Sequence, residues 1–314
     1  MRALVWDGEL RLRDLPEPEL APGEAIIRPL LAGICATDIQ LTHGYKDFHG
    51  VLGHEFVGVV EQCADRSWIG QRVVGEINVA CGECVNCRRA DNTHCVERTT
   101  LGINERDGAM AERFTLPVAN LLRVPEGIPD EAAAFAEPLA AAVEIVDQTH
   151  IRPSEHVVVV GDGKLGLLVA QVLRLTGCSL HLLGRHPERW ELLHRQSIAA
   201  SRDAEALDQR AWDVVIDCTG SAEGFATARR LVRPRGRLVL KSTFHGTMAL
   251  DLSTVVVDEL TLLGSRCGSF EPALRLLERG LIETAPLVYR TYPIGDALSA
   301  FEAARGQLKV FVTP

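Results

Sequence analysis

Four cysteines fall within fifteen residues, as Cys81-x-x-Cys84-x-x-Cys87 and, after seven intervening residues, Cys95. Four thiolates at this spacing can close a tetrahedron on a zinc ion without straining the chain. Gly82 and Asn86 supply turn-prone residues between them. A closed all-thiolate site has no open position, so its expected role is structural. Iron–sulfur motifs share the C-x2-C-x2-C opening, but no proline follows Cys95 and no second cluster motif exists. The chain has nine cysteines in all. Such a cluster reads as metal or catalytic chemistry in a reducing, cytoplasmic setting rather than as disulfides. Cys63, Cys178, Cys218 and Cys267 read as ordinary small buried residues near strands.

With 314 residues the chain is long enough for two domains of roughly 100–200 residues each. Residues 1–125 are rich in Val, Ile, Gly and Pro, with short apolar runs at 24–31, 56–62 and 72–76 separated by turn signals such as Pro22-Gly23. That texture predicts a β-rich domain with irregular loops. Residues 130–148 are alanine-rich, and Pro138 predicts two short helices or one entered afresh after Glu137. From His156 the rhythm turns to strand and helix, with strands expected at 156–161, 179–183, 212–218 and 237–241 and a helix at 165–176. This alternation predicts a doubly wound parallel sheet. A helix at 270–279, closed by Gly280, gives way to extended chain at 284–293. The expected division is a catalytic domain of 1–125 and 270–314, interrupted by a dinucleotide-binding domain of 126–269.

Gly161-Asp162-Gly163-Lys164-Leu165-Gly166 matches G-x-G-x-x-G. The pattern alone is weak, but here it follows a valine strand and opens a helix, as dinucleotide binding requires. The first glycine allows the tight turn, the second the approach of a pyrophosphate, and the third close helix–strand packing. The helix N-terminus then faces the anion. Units that prefer NAD usually carry a carboxylate at the end of the second strand. That position holds Gly184, followed by Arg185, with Arg189 a helical turn further on. A glycine there leaves room for a 2′-phosphate, and the arginines can pair with it. NADP is therefore expected ahead of NAD.

Several motifs in register bring a known family into view. Gly33-Ile34-Cys35-Ala36-Thr37-Asp38, Gly53-His54-Glu55-Phe56-Val57-Gly58, the cysteine lobe, Ala136-Glu137-Pro138-Leu139 and the nucleotide motif follow one another at family spacing. The chain resembles the zinc-dependent medium-chain dehydrogenases, among them alcohol, sorbitol, threonine and glucose dehydrogenases. The resemblance implies an α/β fold, with a β-rich GroES-like catalytic domain and a Rossmann domain. It also implies an NAD(P)-linked oxidoreductase that interconverts an alcohol or polyol with its ketone or aldehyde. It places a catalytic zinc on Cys35 and His54, with Glu55 and Glu137 competing for the third place. A zinc thiolate and imidazole with one open position suit catalysis. Thr37 resembles the hydroxyl that takes the substrate's proton, and Asp38 the carboxylate that orients the bound imidazole; a turn residue and a helix cap are the plainer readings of the two. Glu137, where simple alcohol dehydrogenases have a cysteine, points to the polyol branch. The chain is shorter than the family's usual length, Ala36 replaces the usual glycine, and Gln40 stands where many members have histidine.

A net charge of −9 disfavours nucleic acid and anionic membranes. It argues against a zinc-finger-like nucleic-acid module built on Cys81–Cys95. Intact Cys35, His54 and Glu55 argue against a zinc-free quinone or enoyl reductase on the same scaffold. No apolar run approaches the length of a membrane span. The expected partners are a small alcohol, polyol or sugar and, by resemblance, a second copy or three further copies of the chain.

Overall fold

Ile and Leu crowd the stretch Glu24–Gly33, which the computed structural model forms into a ten-residue strand with Ala25, Ile26 and Ile27 buried. The structure describes residues 1–243 and 250–314. The chain divides into two compact units, Met1–Glu137 with Phe270–Pro314, and Pro138–Ser269.

In the first unit, the described residues form a seven-stranded sheet. Its order is Leu121–Arg123, Arg72–Gly75, Glu55–Cys63, Glu24–Gly33, Lys309–Thr313 and Val288–Pro293, with Phe114–Pro117 also paired to Glu24–Gly33. The pairings are antiparallel except for the last two strands of the chain, which run parallel. The final strand, Lys309–Thr313, therefore lies inside the sheet, against Glu24–Gly33. Sequence reading stopped short of it, and of the helix Ala297–Ala304 that precedes it.

The alanine-rich stretch forms two helices, Asp130–Ala133 and Ala136–Gln148. The second begins before Glu137 rather than after it. Pro138 is its third residue, in the first turn, where a missing N–H breaks no helical hydrogen bond.

The second unit carries six parallel strands among the described residues, in the order Ala199–Ser201, Ser179–Leu183, His156–Val160, Trp212–Asp217, Val232–Leu240 and Thr261–Gly264. Counted along the chain this is 3-2-1-4-5-6, the order of the dinucleotide-binding fold. A strand buried on both faces reads as a continuous apolar run. Val157, Val158 and Val159 are indeed fully enclosed and Val160 nearly so, each such burial worth about 1.5–3 kcal/mol. The first strand neighbours both the second and the fourth, so chain order reverses beside it. Ligands of open α/β sheets bind at the carboxyl ends of strands at such a point. Among the described residues, no helix is long and apolar enough to cross a membrane.

Candidate metal centres and dinucleotide site

Antiparallel pairing assembles the first centre. Gly33, at the end of one strand, lies opposite Glu55, at the start of the next. Cys35, just past the first strand, is thereby brought beside His54 and Glu55. One ligating atom from each of Cys35, His54 and Glu55 lies within 4.8 Å of the others. His54 and Glu55 are buried and Cys35 is partly exposed. Thiolate, imidazole and carboxylate converging this closely make a donor set suited to zinc with a position left open. The Thr37 hydroxyl lies 3.7 Å from Cys35 Sγ.

Asp38 is both a cap and a brace. It sits in the first turn of the helix Ala36–Leu41 and accepts a 2.7 Å hydrogen bond from the Cys35 backbone N–H. Its other oxygen accepts from Gly53 N–H and lies 3.3 Å from His54 Nδ1. The His54 contact is close but not aligned as a hydrogen bond. Burial works against a charged His54, and Asp38 and Cys35 outweigh it, raising the imidazole pKa well above its usual range.

Sequence reading missed Lys309. Its ammonium pairs with Glu55 Oε2, and both side chains are almost wholly buried. A Cβ on Gly33 would lie 2.6 Å from that carboxylate oxygen, so the glycine keeps space for the pair. Phe135 flanks the lysine, with the ammonium 5.5 Å from its ring centroid. The available signal was a lysine opening a continuous apolar run, Lys309-Val310-Phe311-Val312.

Glu137 is not one of the three groups that converge within 4.8 Å, although it lies near enough to feel them. Burial, then Glu55 and Glu76, push its carboxyl up to about 7 against the pull of His54 and Lys309.

The second centre hangs between two short paired strands, Asn78–Val79 and Thr99–Leu101. Neighbouring sulfurs lie 3.4 Å (Cys84–Cys87), 3.5 Å (Cys81–Cys95), 3.8 Å (Cys84–Cys95) and 3.9 Å (Cys81–Cys87) apart. A regular tetrahedron with Zn–S bonds of about 2.3 Å has edges of roughly 3.8 Å, so the four thiols fit one zinc ion. Backbone N–H groups of Cys87 and Val96 pull the Cys84 thiol down to about 6, toward the thiolate that binds metal. All nine cysteines are free of disulfides. Cys63 is buried, while Cys178, Cys218 and Cys267 are half-buried.

In the second unit, Gly161 follows the valine strand with φ +112°. A Cβ on Gly166 would lie 1.9 Å from the Gly161 carbonyl oxygen, so only glycine permits that packing. Gly163 precedes the helix Lys164–Arg174 and caps it with no side chain. Nothing lies within 4 Å of where its Cβ would be. The first-turn N–H groups thus begin beside open space, which suits a pyrophosphate. Lys164 and Leu165 open this helix, both partly exposed.

Residues 21–126 match the alcohol dehydrogenase GroES-like domain family, and residues 165–279 match the zinc-binding dehydrogenase family. The chain is 30% identical to the erythritol/L-threitol dehydrogenase of Mycolicibacterium smegmatis, over 100% of this chain and 98% of that protein. The chain belongs to the zinc-dependent medium-chain dehydrogenase family. It is an NAD(P)-dependent oxidoreductase of the alcohol and polyol type.

Two solved structures align over the whole chain. A Sinorhizobium meliloti 1021 protein described as a zinc-binding dehydrogenase, solved with NADP, has TM-score 0.89 and 28% identity, with 99% of it covered. An Escherichia coli CFT073 protein described as a short chain alcohol dehydrogenase, solved with NADH, has TM-score 0.88 and 25% identity, also 99% covered. One relative carries each nucleotide, so membership in the family leaves the choice to local residues.

For this medium-chain dehydrogenase, one premise of the NADP expectation needs correction. Gly184 does not leave its space open. A Cβ there would lie 2.4 Å from Asp162 Cγ, because the Asp162 side chain fills that volume. Arg185 is exposed, and Arg189 is partly buried within the short turn Pro187–Arg189.

Proposed function

We propose that Cys35, His54 and Glu55 hold a catalytic zinc, that Cys81, Cys84, Cys87 and Cys95 hold a structural one, and that the substrate is a polyol or a closely related hydroxy compound. The observation that carries this reading is the convergence of the three unlike donors at the buried ends of two central strands of one sheet. When bound, zinc supplies Lewis acidity toward a hydroxyl oxygen, and the nicotinamide accepts a hydride. The rest falls to the chain's own side chains. Asp38 fixes the Cys35 backbone and stands behind His54. Lys309 holds one oxygen of Glu55 and so limits how the other is presented. Thr37 takes the substrate's hydroxyl proton. Glu137, rather than a ligand, is a carboxyl poised near neutrality to share in proton traffic.

Met1–Glu137 with Phe270–Pro314 is the catalytic body, and Pro138–Ser269 with Gly161, Gly163, Lys164, Leu165 and Gly166 is the nucleotide body. A carboxylate at Glu137 and the similarity to an erythritol/L-threitol dehydrogenase support the polyol branch. Net charge −9 supports the absence of a nucleic-acid partner, and nine unbridged cysteines favour a cytoplasmic setting. Val256 and Val257, 75% and 80% exposed on the short helix Leu252–Val257, support a homodimer or homotetramer. So does the strand Thr261–Gly264, which has one neighbour among the described residues.

A panel of polyols, sugars, sugar acids and simple alcohols, followed by reduced-nicotinamide absorbance, tests the substrate class. Turnover of four- to six-carbon polyols well above that of ethanol is expected. Turnover of quinones or enones alone overturns the reading.

A further inference from the structure

The residue between the first two glycines of the nucleotide loop is an aspartate whose side chain is only 5% exposed. Three donors hold its carboxylate. The His186 backbone N–H donates at 2.6 Å, His186 Nδ1 at 2.9 Å and Trp190 Nε1 at 3.1 Å. Burial opposes ionisation, but the His186 and Trp190 hydrogen bonds outweigh it and keep the carboxyl below the usual carboxylate range. The group is therefore a fixed negative charge that cannot swing aside without abandoning three bonds.

Its position gives that charge a meaning. The second strand of the sheet, Ser179–Leu183, ends immediately before Gly184. Dinucleotide folds keep an acidic side chain at this strand end, where it accepts the ribose 2′-hydroxyl. Here a side chain starting from Gly184 would run into Asp162, with both Cγ and Oδ2 at 2.4 Å from its Cβ. The Asp162 carboxylate thus lies where a side chain from the strand end would begin.

We infer that Asp162 stands in for the strand-end carboxylate and selects NAD over NADP. A 2′-hydroxyl can donate to the fixed carboxylate, whereas a 2′-phosphate meets like charge there. Arg185, one residue past Gly184 and exposed, is the cation beside the strand end that could oppose this. It is tethered by a flexible stem, whereas the carboxylate is pinned. This assignment rests on the nucleotide-binding role of the second unit. It also explains why replacing Gly184 by aspartate cannot serve as the test, since the new side chain would displace the old.

The test is calorimetric titration of the full-length protein with NAD+ and with NADP+, so that no turnover is needed. Wild type should bind NAD+ about tenfold or more tightly than NADP+, the scale of one charge-assisted contact. Asp162→Asn keeps the shape and removes the charge, and should bring the ratio toward one, chiefly by tighter NADP+ binding. Should that variant not fold, wild type at rising salt still answers. Repulsion by Asp162 requires the NAD+ advantage to shrink as charges are screened. An advantage for NADP+ that fades with salt assigns the choice to Arg185 and overturns the inference, as does an Asn variant with an unchanged ratio. Binding of neither nucleotide removes the dinucleotide reading itself. Equal binding of both in wild type removes only the role of Asp162.

Discussion

At the scale of single residues, the first candidate metal centre contains two buried charges that sequence motifs do not mark equally. Glu55 belongs to a readable motif, but its partner Lys309 comes from the far end of the chain. Breaking a buried pair leaves one charge uncompensated, which costs about 3–5 kcal/mol. Lys309→Met should therefore destabilise the metal-free protein by roughly that amount in denaturant titrations. A loss below about 1 kcal/mol, typical of exposed pairs, would mean that Glu55 does not need the lysine. Glu137 offers a second check with a defined sign. Its folded pKa is raised from 4.5 to about 7, so the folded chain holds this proton more tightly than the unfolded chain. Its contribution to stability is full below about 4.5 and is lost as pH rises through about 7. In chelator-treated protein, Glu137→Gln should flatten the fall in stability across that window. An unchanged pH profile would place the titration elsewhere.

At the scale of elements, the cysteine lobe spans Cys81–Cys95 with only two short 3-10 turns, Cys87–Arg89 and Asn92–His94. Its order is expected to come from zinc, because a closed thiolate site contributes folding free energy directly. Cys84→Ala should lower bound zinc from about two to about one per chain. Amide exchange across residues 81–95 should quicken while the strand His156–Val160 stays protected. Equal quickening in both segments would contradict a local structural role. Motif-bearing elements were legible in the sequence for physical reasons. The valine strand, the glycine turn and the cysteine spacing each have few alternative uses. The strands Ala199–Ser201 and Thr261–Gly264 were not legible, being short and without an apolar run of their own. The helix Ala222–Leu231 was hidden by its polar Arg229 and Arg230, although Ser221 caps it. Gly184 was misread as open space because what fills it, Asp162, lies 22 positions earlier in the chain. A distance of that kind is set by sheet register, which local sequence does not display.

At the scale of the whole molecule, one chain builds two units of different texture, and the first is completed by its last strand. In the proposed reading each unit serves one half of an alcohol oxidation: the first gathers unlike metal donors at the ends of two central strands, and the second presents a helix without a side-chain cap beside a glycine turn. The central claim is that turnover depends on a zinc held by Cys35 in particular. The most direct measurement compares wild type with Cys35→Ala for bound zinc and for polyol-dependent nicotinamide reduction, with circular dichroism and nucleotide binding as checks on folding. The account predicts that Cys35→Ala keeps its fold, its nucleotide affinity and the lobe zinc, loses the other zinc, and falls in turnover by at least about a thousandfold, as expected when a metal-dependent step loses its metal. A folded Cys35→Ala protein that retains wild-type turnover, or an active wild type that carries zinc only in the lobe, would contradict it.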